Sequence, residues 1–106
     1  MNLDLVTLNE VLNDGSTIYF YQEETTDAWV AWGYSAYLLS QMPGVNTLTS
    51  FSDKMQMPCV CISHTDFKGI VRNHVATIEC KDGYYRLRTT AQVEDDAYQE
   101  WVTSLK

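Results

Sequence analysis

The segment HVATIECKDGYYRLRTT, residues 74–90, restricts the fold more than any other stretch of the chain. β-Branched and aromatic residues flank Asp82-Gly83, a dipeptide suited to a two-residue type I′ hairpin turn. Folding about that turn sets Glu79 opposite Arg86, an opposite-charge pair that supports the same register independently. Ala76, Ile78, Cys80, Tyr85, Leu87 and Thr89 then share a core face. Val75, Thr77, Glu79, Arg86, Arg88 and Thr90 share a wet one. A lone hairpin is marginal in water, so the rest of the chain must supply strands and helices to cover it.

A second hairpin is predicted over STIYFYQEETTDAWVAWGY, residues 16–34, with its turn within Glu24–Asp27 and Tyr21 opposite Val30. One face carries Ile18, Phe20, Ala31 and Gly33, the other Tyr19, Tyr21, Val30, Trp32 and Tyr34. Both faces are apolar, unlike those of residues 74–90. Either another element covers the Tyr-Trp face, or that face is an exposed patch, which marks an interaction site.

Four helices follow from periodicity. In TLNEVLNDG, residues 7–15, Thr7 and Glu10 form a capping box, Leu8, Val11 and Leu12 make the inward stripe, and Gly15 ends the helix. In SAYLLSQMPG, residues 35–44, Ser35 is the N-cap and Leu38, Leu39 and Met42 the apolar stripe. TDFKGIVRN, residues 65–73, is capped by Thr65 and turns Phe67, Ile70 and Val71 inward. VEDDAYQEWVTSLK, residues 93–106, buries Ala97, Tyr98, Trp101, Val102 and Leu105. Residues 45–56 read mostly as loop.

Between these units lies QMPCVCISH, residues 56–64. In a strand, Cys59 and Cys61 share one face and Val60 and Ile62 the other, as in a strand buried between layers. The expected fold is α+β: a single domain over residues 1–106, with a mainly antiparallel sheet of about five strands packed against helices. The pattern also reads as two helix–hairpin–helix repeats around a central strand, PCVCIS.

Charge narrows the partners. Residues 1–53 hold seven acids and no Lys or Arg, which accounts for the whole net charge of −7. Such a surface repels nucleic-acid phosphate and favours basic partners. No apolar run is long enough to span a membrane. The start, MNLDLVTLNE, lacks the basic and apolar regions of a secretory leader, and three cysteines form no disulfide framework; a cytoplasmic setting is expected.

The functional expectation is a small non-catalytic protein-binding or regulatory domain, binding a basic protein or a second copy of itself. Its contact residues are expected to be Tyr19, Tyr21, Trp32 and Tyr34, rimmed by Glu23, Glu24 and Asp27. No cofactor or metal is expected. The alternative is a thiol- or metal-dependent enzyme or sensor using Cys59, Cys61 and Cys80 with His64. Against it, Cys-x-Cys inside an apolar run lacks the knuckle spacing of a zinc site, no strand-to-helix turn presents either cysteine, and no Lys or Arg lies nearby in sequence to lower a thiol pKa.

Overall fold

A computed structural model describes residues 1–106. The chain runs α1 (Leu3–Leu12), β1 (Thr17–Gln22), β2 (Trp29–Trp32), α2 (Gly33–Ser40), β3 (Leu48–Ser52), β4 (Met57–Ile62), α3 (His64–Asn73), β5 (Ile78–Lys81), β6 (Tyr84–Arg88) and α4 (Asp95–Leu105). The fold is α+β, with one antiparallel six-stranded sheet in the order β3-β4-β2-β1-β6-β5. No helix is long and apolar enough to cross a membrane.

Both hairpins adopt the expected registers. Tyr21 pairs with Val30, Glu79 with Arg86 and Cys80 with Tyr85, and Arg86 Nη2 donates to Glu79 Oε1 at 2.9 Å. The second turn is not type I′, which needs positive φ at both central residues. Only Gly83 has it, at 90°, the φ pattern of a type II turn. The sixth strand, β3, lies within the segment read as loop and pairs along β4 as an edge. β4 is therefore second from that edge, and β1 and β2 are the central strands.

The helix–hairpin–helix order does occur twice, but the two copies pack differently. Ile18, Phe20, Trp29, Ala31, Val60, Ile62 and Leu87 form one sheet face, covered by Ala36, Leu38 and Leu39 of α2 and Phe67 and Ile70 of α3. Trp101 of α4 packs against the same cluster. Here Trp29 stacks on Phe67 at 3.8 Å, and Tyr85 meets both rings edge-on. Trp29 Nε1 also donates to His64 Nδ1 at 3.0 Å, which fixes that histidine's proton on Nε2. By contrast α1, the counterpart of α3, lies on the opposite face over Tyr19 and Tyr21.

Several caps move from their predicted places. Asn2, not Thr7, caps α1, accepting from the amides of Asp4 and Leu5 at 3.1 Å each. Thr7 sits inside the helix and donates back to the Leu3 carbonyl at 3.0 Å. Ser63 rather than Thr65 caps α3. Ser35 is no cap: α2 begins two residues earlier, at Gly33, whose φ is 59°.

That glycine is required twice over. Its φ lies in the left-handed region, and a Cβ there would stand 2.9 Å from Glu10 Oε1. Gly33→Ala is expected to destabilise the fold by about 1–3 kcal/mol. Urea unfolding checks this. A midpoint equal to that of the parent contradicts the strained strand-to-helix junction.

Candidate interaction surface around α1

α1 is turned the opposite way from its amphipathic reading. Leu8, Val11 and Leu12, expected to face inward, are 55%, 76% and 69% exposed. The buried positions are Val6, Asn9 and Asn13. The reason lies beneath the helix, where β2 ends at Trp32 while β1 continues alongside its start. β6 runs along the other edge of β1, but on the β2 side no strand reaches the Tyr19 amide and the Thr17 carbonyl, so they need other partners, because buried backbone groups are not left unpaired.

Polar side chains of α1 and α2 supply those partners. The Tyr19 amide donates to Ser35 Oγ at 2.9 Å, and Asn13 Nδ2 donates to the Thr17 carbonyl at 2.9 Å. Ser35 Oγ in turn donates to Glu10 Oε2 at 2.6 Å, and the Ser35 amide donates to Glu10 Oε1 at 3.3 Å. Glu10 thus supplies the acceptor for the first turn of α2, which has no side-chain cap of its own. One turn earlier, Asn9 Nδ2 donates to the Tyr21 hydroxyl at 2.9 Å. The polar side of α1 is committed to the domain, and its apolar side remains outside.

The residues predicted to bind a partner divide accordingly. Tyr19 and Tyr21 are buried under α1, Tyr21 at 1% exposure, so they form no open patch. Burial pushes the Tyr21 phenol well above its ordinary value. Trp32 is half-buried, with Nε1 donating to Met1 Sδ at 3.3 Å. Tyr34 is half-buried and donates to Asp95 Oδ1 at 3.0 Å, a bond that raises its pKa. It lines a groove of about 210 Å³ beside α1, with Val11, Met57 and Tyr98. Glu23, Glu24 and Asp27 occupy the hairpin tip, where Glu24 lines a groove with Met1, Asn2 and Leu5 at the start of α1.

The sequence places Leu8, Val11 and Leu12 in the core because large apolar residues at helical spacing look like core, yet all three are exposed. The available signal was the polar set Asn9, Glu10 and Asn13 on the other side of the same helix.

The thiols do not converge. Cys59 and Cys61 share one face of β4, but Cys80 lies on β5, four strands away or roughly 19 Å at about 4.8 Å per strand. Cys80 is exposed rather than core, since β5 is an edge strand. His64 and His74 are engaged elsewhere, with Trp29 and the Ile70 carbonyl. No group of three or more His, Cys, Asp or Glu is placed to hold a metal ion. Within the close pair, Cys59 hydrogen-bonds to Cys61, which raises Cys59, assisted by burial, and lowers Cys61.

Burial raises the Glu10 pKa above 4.5, and the bonds from Ser35 and Asn13 only partly offset this. A raised carboxyl binds its proton more tightly when folded. Its contribution is therefore greatest below 4.5 and is lost as pH rises through the higher folded value. The stability difference between parent and Glu10→Gln should shift against the parent on raising pH through that window. Urea titrations at stepped pH read this, and a difference that is flat or of opposite slope contradicts the site. In comparisons with protein-family models, curated proteins and solved structures, no match to this chain was found.

Proposed function

We propose that this chain is a small protein-binding domain, acting by association rather than catalysis, whose contact surface is the outer ridge of α1. The observation that carries the reading is the exposure of Leu8, Val11 and Leu12, three large apolar side chains at i, i+3 and i+4 on one helix. Scattered exposed apolar residues are ordinary, but a contiguous ridge marks an interaction site. The groove beside Val11 adds Tyr34 and Tyr98, aromatic residues of the kind enriched at binding hot spots.

Charge supports a partner with basic groups. Asp4 lies in the first turn of α1, and Glu23, Glu24 and Asp27 stand at the neighbouring hairpin tip. Residues 1–53 carry no compensating Lys or Arg. A second copy presents the same acids, so a distinct basic protein is the favoured partner. A cytoplasmic setting fits three thiols whose positions offer no disulfide across the core.

A photo-crosslinking residue at Val11 tests the reading in the cells that express the protein, with the same residue at exposed Glu100 on α4 as the control. Discrete protein adducts are expected from position 11, reduced at least about ten-fold by Leu8→Glu with Leu12→Glu, as for a lost apolar hot spot. An adduct of twice the chain mass identifies self-association. Adducts no more abundant from Val11 than from Glu100 contradict the ridge.

A further inference from the structure

Tyr34, Tyr98, Met57, Val11 and Glu10 all line the groove of about 210 Å³ beside α1. The Tyr34 and Tyr98 rings stand at 88° to one another, with centroids 4.7 Å apart, as two perpendicular walls of a corner. Tyr34 touches no other ring, so at least one of its faces is free of aromatic neighbours. Gly33 lines the same groove, and its missing Cβ leaves room for Glu10 Oε1, so the carboxyl end of Glu10 stands beside the corner. Asp95 is exposed at the rim, with Oδ1 accepting from the Tyr34 hydroxyl at 3.0 Å.

The charge acting on this corner has one sign. The Tyr34 phenol is raised by its bond to Asp95, then by burial and by the charges of Asp95 and Glu10. The Tyr98 phenol is pushed up to about 12 by burial, then by Glu10, Tyr34 and Asp95. No Lys or Arg offsets either shift or that of Glu10. Lys54, the base nearest in sequence to a lining residue, is exposed and pairs with neither acid, and both salt bridges belong to Glu79 on β5. Glu10 thus has hydrogen bonds but no cation, although charges withdrawn from water are as a rule paired.

We propose that this groove seats one alkylammonium group, delivered as a lysine side chain of the docked partner. Ring faces attract a cation through their quadrupole, and the two carboxylates add to that attraction. The apolar lysine stem packs along Val11 and Met57 while its charged head reaches the corner. A compact ammonium suits two perpendicular walls, whereas a planar guanidinium stacks on one ring and leaves the other. The inference rests on the ridge reading only in assigning the ammonium to the docked partner, since Val11 belongs to both surfaces.

The test needs no partner. The full chain, with carbon-13 in its tyrosine rings, is titrated with n-butylammonium chloride against sodium chloride at constant ionic strength. The Tyr34 and Tyr98 ring resonances should move saturably. n-Butanol, which has the same stem without the charge, should bind at least about ten-fold more weakly. Tyr34→Leu, read at Tyr98, should weaken butylammonium by about ten-fold, and Tyr34→Phe, which keeps the ring and loses the bond to Asp95, should hold it within about three-fold. Rings indifferent to butylammonium, rings moved equally by sodium or by butanol, n-butylguanidinium binding as tightly, or an affinity unchanged in Tyr34→Leu overturns the proposal. Because butylammonium reports on the groove and cross-linking on the ridge, the two can fail separately.

Discussion

The fold depends on one buried polar junction, in which the Glu10 carboxylate grips Ser35 at the start of α2 while Ser35 and Asn13 hold the backbone groups of β1 that β2 does not reach. Without it, the early end of β2 leaves a donor and an acceptor of β1 buried and unmatched. Such groups cost about 1–3 kcal/mol each. With it, the strand-to-helix turn at Gly33 closes and both helices are fixed to the central strand. The Glu10 carboxyl resists ionisation there because burial outweighs its hydrogen bonds. The junction therefore secures position at some cost in stability, as buried polar groups often do.

The exposed apolar ridge of α1 follows from this arrangement. A helix with its polar side turned to the domain has nowhere inside to put Leu8, Val11 and Leu12. Tyr19 and Tyr21, which would otherwise form an exposed aromatic face, become the floor on which Val6 packs. The domain exchanges one apolar surface for another, from the strands of the first hairpin to the outside of α1. The main core on the opposite sheet face, centred on Phe20, Trp29, Phe67 and Tyr85, takes no part in that exchange.

Much of the architecture was legible in the sequence, for local reasons. Alternation and an even-length turn region specify the first hairpin, and the Glu79–Arg86 pair specifies the second, so both registers follow from short-range chemistry. Phe67 and Ile70 face the core as their spacing requires. What could not be read depends on tertiary context. The inward face of α1 is set by backbone groups of β1 that become orphans only once β2 stops short. β3, with sequence LTSFS, has weak alternation and gains its strand from pairing with β4. Cys80 has the right parity for the core, but its strand is an edge. Of the predicted contact set, Tyr34 and Glu24 line grooves next to α1, whereas Tyr19 and Tyr21 went underneath it.

The orientation of α1 is the claim on which the rest turns, and solvent relaxation measures it directly. A soluble gadolinium chelate added to the monomeric, methyl-labelled chain broadens resonances according to their exposure. The Leu8, Val11 and Leu12 methyls are expected to broaden strongly and those of Val6, which is 0% exposed, to be protected. Protected Val11 and Leu12 methyls with a broadened Val6 would contradict it, and would return the apolar stripe of α1 to the core.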